Sequence, residues 1–142
     1  MKTVTQLSIS HSFAAELTAA AVAYAENNSI AIATCVVDIH GRIKSLQVMD
    51  GAAIIADDLV VKKAKTALLG LSSQDFAEAV SAVPAIEKSM LELPQITLLG
   101  GGYPIIENEQ IIAAFAVGGA TVDMDIACAE AALDAVQANN KK

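Results

Sequence analysis

Tryptophan is absent from the 142 residues and aromatics reach only 4%, although 54% of the chain is hydrophobic. A core must then be assembled from small and branched aliphatic side chains packed at close distance. Positive charge is equally scarce, nine Lys and Arg against sixteen Asp and Glu, for a formal net charge of −7. Nucleic acid and anionic membrane surfaces require clustered cations, so neither is expected as a partner. The local exception is Lys62, Lys63 and Lys65, one positive patch on a single helix that reads as a solvated face or an anion site. No apolar run approaches the roughly 20 residues that cross a bilayer. The longest, 30–37 and 111–117, have the length of strands. Cys35 and Cys128 are too few for a disulfide framework, and their apolar contexts fit buried free thiols. Residues 1–11 carry one lysine but no uninterrupted apolar core, so a secretory signal is not expected and the cytoplasm is the expected location.

Familiar catalytic patterns are missing too. There is no phosphate-binding Walker loop, no nucleophile elbow, no His-rich metal triad and no Cys-x-x-Cys-His. Neither a catalytic residue nor a metal site can be assigned from pattern.

What the chain does have is an ordered hydrophobic pattern filling a single domain, residues 1–142. From Ser12, residues Phe13, Leu17, Ala20, Ala21 and Tyr24 recur at helical spacing, and the polar run 26–29 ends them. Residues 30–37 are apolar on both alternating faces, the mark of a central strand covered on each side. Asp38-Ile39-His40-Gly41 then supplies a turn, and 42–49 returns as a more polar partner strand. Helices are predicted over 57–69, with Gly70 as the stop, from Ser72 or Ser73 through Val80, and from Pro84 to Leu91. Residues 95–99 read as a further strand. A glycine-flanked hairpin follows. Val122, Ile126, Ala129, Leu133 and Val136 form the stripe of a closing helix capped by Thr121, with fraying expected over 139–142. Strands and helices stand in separate blocks without βαβ alternation. The expected class is α/β of the α+β type, an antiparallel sheet with helices packed on its faces.

The hairpin draws the eye because both of its outer ends carry glycine: Gly100-Gly101-Gly102-Tyr103-Pro104 and Gly118-Gly119-Ala120-Thr121, followed by Asp123 and Asp125. The two segments should lie side by side, exposing backbone N–H groups beside a helix start, where a carboxylate or propionate would be welcome. The same glycines also serve hairpin bending and close helix packing. Asp123 and Asp125 suit the helix dipole, yet they would repel an anion. Lys63 and Asp50 are read as a charged pair near Tyr103, suited to acid–base work if buried and otherwise a structural salt bridge; an enzyme acting on a small organic acid or aldehyde would use Lys63 with Asp50 or Asp125 in acid–base roles. For a haem iron the available donors are His11, His40, Met49, Tyr103 and Cys128. His40 falls in a turn and reads as solvent-exposed, whereas Tyr103 is placed to stack on a flat ligand.

Taken in order, the first helix, Val37-Asp38 with Gly41, Met49-Asp50-Gly51, Lys63-Ala64 with Thr66-Ala67, Gly101-Gly102 with Pro104-Ile105, and Val117-Gly118-Gly119 before Asp125 resemble the GlcG/HbpS-like family. This is the haem-degrading-domain family that includes the C-terminal domain of PduO proteins. The resemblance covers nearly the whole chain. It implies a profilin-like fold with a central antiparallel sheet of about five strands, assembly into homo-oligomers and, for some members, binding of haem or a related tetrapyrrole; the expected ligand is haem, a corrinoid or a smaller carboxylated metabolite. It also implies an alternative role, as an accessory enzyme or oligomeric scaffold in small organic acid, glycerol or diol metabolism. The expected ligand site is a cleft between the glycine hairpin and the Lys63 helix. Asp50, Lys63, Gly101, Gly102 and Tyr103 would contact a small-molecule ligand there, together with Pro104, Gly118, Gly119, Thr121 and Asp125.

Overall fold

The computed structural model describes residues 1–140. Helix α1 (His11–Asn27) leads into strands β1 (Ala33–Asp38) and β2 (Ile43–Val48). Helices α2 (Ala56–Ala67), α3 (Ser73–Ser81) and α4 (Pro84–Leu91) follow, then β3 (Gly102–Glu107), β4 (Gln110–Gly118) and α5 (Val122–Asn140). The expected α+β class holds. The helix starts follow from their caps: Ser10 Oγ accepts the Phe13 N–H at 3.2 Å, Ser72 Oγ the Asp75 N–H at 3.2 Å, and Thr121 Oγ1 the Met124 N–H at 3.2 Å. Asn139 and Asn140 are still helical, whereas the rest of the segment expected to fray, residues 141–142, lies outside the described residues.

The sheet has four strands in the order β2-β1-β4-β3, every neighbouring pair antiparallel. This corrects the expectation of about five, because residues 95–99 join no ladder. A side chain takes the place of a neighbouring strand: Thr66 Oγ1 accepts the Thr97 N–H at 3.0 Å and lies 3.1 Å from the Thr97 carbonyl. The Thr97 N–H is thereby satisfied without pairing, while the single Thr66 hydroxyl proton lies within reach of both the Thr97 and the Lys62 carbonyls.

All six residues of β1 are buried, as are the last seven of β4, as expected for strands covered on both faces. On one face Val36, Phe115 and Val117 pack with Leu17 and Ala21 of α1 and Cys128, Ala132 and Val136 of α5. On the other, Ala33, Cys35, Ala114 and Ala116 meet Val60, Ala64 and Ala67 of α2. Alanine on both sides of that second contact lets α2 approach the sheet closely, which is how a core almost without aromatics is filled.

The turn of the β3–β4 hairpin is made by Asn108 and Glu109, both left-handed at φ 50° and 63°. Two consecutive positive φ values define the I′ turn, which favours Asn-Gly. Glu109→Gly is therefore expected to stabilise the chain by about 0.5–1 kcal/mol, seen as a higher urea midpoint at unchanged slope.

Both cysteines are free and buried. Burial pushes each thiol up to about 12, with nearby Lys65 opposing the shift at Cys35 and the Asp125 charge adding to it at Cys128. Each thiol keeps its proton to higher pH when folded, so above the ordinary value of 9.0 the unfolded chain binds fewer protons. Stability should fall as pH climbs from about 9 toward 12, and a thiol reagent at neutral pH should modify neither cysteine until the chain unfolds.

Candidate functional site

Lys63 lies on the sheet-facing side of α2, where burying an amine demands partners. It is 1% exposed and has them. Its Nζ donates to Asp125 Oδ2 at 2.9 Å and to the Val117 carbonyl at 3.0 Å, joining α2 to the end of β4 and the first turn of α5. Asp125, also buried, uses its other oxygen to accept the Ala120 N–H at 3.0 Å. The lysine's partner is thus Asp125 and not Asp50. Nor are the three clustered lysines one solvated face, since the middle one is inside.

The glycine segments enclose this ion pair. A Cβ at Gly102 would sit 2.3 Å from the Lys63 carbonyl oxygen, and one at Gly101 2.6 Å from the Val117 carbonyl oxygen. A Cβ at Gly118 would meet Val60 Cγ1 at 2.9 Å and Lys63 Nζ at 3.3 Å. Gly119 turns the chain toward α5 at φ +101°. The hairpin and α2 pack directly on one another, so the cleft expected between them is closed. Two of its backbone donors are taken by side chains. Gln74 Oε1 accepts from Gly101 N at 3.2 Å and Ser73 Oγ from Gly102 N at 2.8 Å. The expected anion cradle at the start of α5 holds the chain's own carboxylate instead.

Tyr103 stands at the rim. Gln74 Nε2 donates to its hydroxyl at 2.7 Å, and the hydroxyl donates to Glu130 Oε1 at 2.8 Å, so α3, β3 and α5 are tied through one phenol. Burial and the bond to Glu130 raise its pKa above the ordinary tyrosine range. Thr121 is spent as the α5 cap. Asp50 is exposed at the far end of β2, beside a shallow hollow of about 330 Å³ that it shares with Val22, Glu26 and Gln47.

An apolar groove lies elsewhere. A groove of about 690 Å³ runs between the segment before α1, α1 itself, the β3–β4 hairpin and the far half of α5. Its walls are Ile9, Phe13 and Leu17, then Ile105, Ile106 and Ile112, with Leu133 and Val136 opposite. Ser8, Ser10, Glu107, Gln137 and Asn140 supply polar groups. Of the ten residues expected to contact a ligand, Pro104 alone lines it. No local motif marks this groove, because each contributing segment reads by itself as ordinary core.

The expected iron donors lie outside the groove lining. His11 and His40 are exposed, Met49 packs against the core, and Cys128 Sγ donates to the Ala21 carbonyl at 3.4 Å. Among the described residues no three His, Cys, Asp or Glu converge on a metal position, and no helix is long and apolar enough to cross a membrane.

Comparison with known proteins places this architecture. A solved Klebsiella pneumoniae protein, ORFY, is 31% identical and superposes with a TM-score of 0.89 over 97% of each chain. Protein GlcG of Escherichia coli K12 is 32% identical over 114 residues, covering 80% of this chain and 83% of GlcG. A PduOC:heme complex is 26% identical, with a TM-score of 0.82 over 91% of this chain and 95% of that one. Against the full corrinoid adenosyltransferase PduO of Salmonella typhimurium, 26% identical over 137 residues, the chain spans only 41% of the relative's length. The model of the family described as "Haem degrading protein HbpS-like" matches residues 9–134. The chain therefore belongs to the HbpS-like family.

Proposed function

We propose that this protein binds a flat, largely apolar small molecule of the tetrapyrrole class in the groove between α1, α5 and the β3–β4 hairpin, and that it works as a homo-oligomer. The observation that carries this reading is the groove itself, whose volume and apolar walls fall in the range of ligand sites. The family and the heme complex of a relative add support. Haem fits in part. Isoleucine, leucine and phenylalanine suit the faces of a porphyrin, but no described lining residue is a His, Met, Cys or Tyr that could ligate iron. Retention therefore rests on shape and apolar contact, and no redox step is assigned. The homo-oligomer is supported by the many large apolar side chains left exposed, and by α4, an eight-residue helix with no buried residue of its own. Two unpaired thiols suit a reducing cytoplasm.

An acid–base enzyme built on Lys63 would need that amine to meet a substrate, and it is sealed. A scaffold without a ligand is the competing reading. Titration with hemin and with metal-free protoporphyrin IX separates them. Both should bind saturably with dissociation constants within about threefold of each other, because iron gains no axial bond. Cobalamin, with its amide periphery and axial groups, should not compete. Ile106→Glu, at an exposed groove wall, should weaken both porphyrins about tenfold, equivalent to about 1.4 kcal/mol. Absence of saturable binding by either porphyrin would leave the scaffold reading.

A further inference from the structure

β2 and β3 are the outer strands of the sheet, and they differ in how their free edges are defended. β3 carries Pro104 within the strand, which removes a donor and discourages an added partner. β2 has neither proline nor glycine. Its register sets Ile43, Leu46 and Val48 opposite Val37, Cys35 and Ala33, hence on the face that α2 covers. α2 buries those β1 residues fully, yet Ile43, Leu46 and Val48 stay 46%, 39% and 53% exposed. An unpaired edge beside a half-exposed apolar row is a surface built for another strand.

A second copy of this chain satisfies that surface by charge as well as by pattern. In an antiparallel pairing about a twofold axis at Gln47, Leu46 lies across from Val48 of the second copy. Carried past the end of β2 into the turn at Asp50, the same register brings Lys44 toward Asp50 of the second copy, and symmetry repeats each contact. The irregularity in the β1–β2 ladder falls at Lys44, so the lysine closes the regular run of the pairing. A chain of net charge −7 repels its own copies, and an interface between copies has to bring its own counter-charge. Lys44 and Asp50 do so twice. We propose that two copies pair through their β2 strands into one continuous eight-stranded sheet. The proposal rests on the homo-oligomer reading and adds the surface to it.

Light scattering after size exclusion, on the full chain, tests it. Lys44→Glu should halve the particle mass or raise the dissociation constant at least tenfold, with the circular dichroism unchanged. Asp50→Lys should do the same. Lys44→Glu combined with Asp50→Lys exchanges the two charges and should restore the original mass. An oligomeric wild type whose mass survives Lys44→Glu, or a double variant that stays dissociated, overturns the β2 interface alone. A wild type that is monomeric throughout overturns the homo-oligomer reading with it.

Discussion

Replacing Lys63 with methionine is expected to cost about 3–5 kcal/mol, which at this chain length lowers the thermal midpoint by about 10 °C. The loss comes less from the missing bond than from what is left behind. Asp125 keeps one oxygen on the Ala120 N–H, but its other oxygen, buried beside the former amine position, has no counter-charge. Asp125→Asn should be destabilising for the mirror-image reason, leaving the Lys63 cation with carbonyl and amide oxygens only. The double variant is the sharper measurement. With both charges gone the desolvation penalty goes too, so Lys63→Met with Asp125→Asn should cost clearly less than the sum of the single variants. Additive losses would show that the two side chains stabilise the fold independently. Calorimetry or urea unfolding of the four proteins decides the point.

Gly102→Ala is expected to be comparably severe, at about 3 kcal/mol or more, although it adds a single methyl group. The new carbon would lie 2.3 Å from the Lys63 carbonyl oxygen and 2.7 Å from its carbon. These are backbone atoms of a helix and cannot rotate aside, so β3 and α2 must separate. Separation also strains the bond from Gly102 N to Ser73 Oγ. Gly51→Ala provides the internal comparison. That residue has a positive φ of +83°, but its added carbon meets only the Ala31 methyl at 3.8 Å. Its cost should stay near the 1–2 kcal/mol of a left-handed alanine. If the two variants unfolded at the same denaturant concentration, the close approach of β3 to α2 would not be a significant constraint.

Local signals carried much of the fold into the sequence. Pro84 opens α4 where a helix can accept it, Thr121 caps α5, and the doubly apolar run at 30–37 holds all of the buried strand β1 except Asp38. Other features depended on partners that no local window contains. Residues 95–99 have a strand-like composition, but a threonine 31 positions away takes the Thr97 N–H. Lys63 sits among lysines and reads as solvated until an aspartate 62 residues later is folded against it. The glycines were recognisable as special, though their neighbours alone cannot tell an open cradle from a packed seam. That distinction belongs to whatever lies across from them, here the backbone of α2. The groove was the least legible feature. Its walls come from four separate stretches, and what makes them a site is the space between them.

The two middle strands set the order in which the molecule can be built. β1 and β2 are joined by a short turn, as are β3 and β4, so each pair can close within microseconds of being free to do so. Between β1 and β4 the bond from Thr34 Oγ1 to the Ala116 carbonyl spans 82 residues. During synthesis the first hairpin must therefore wait, one edge unpaired, until nearly the whole chain has emerged from the ribosome. Zipping the centre of the sheet is then expected to be the slow closing event of folding, and the interval before it is when the chain is most exposed to aggregation.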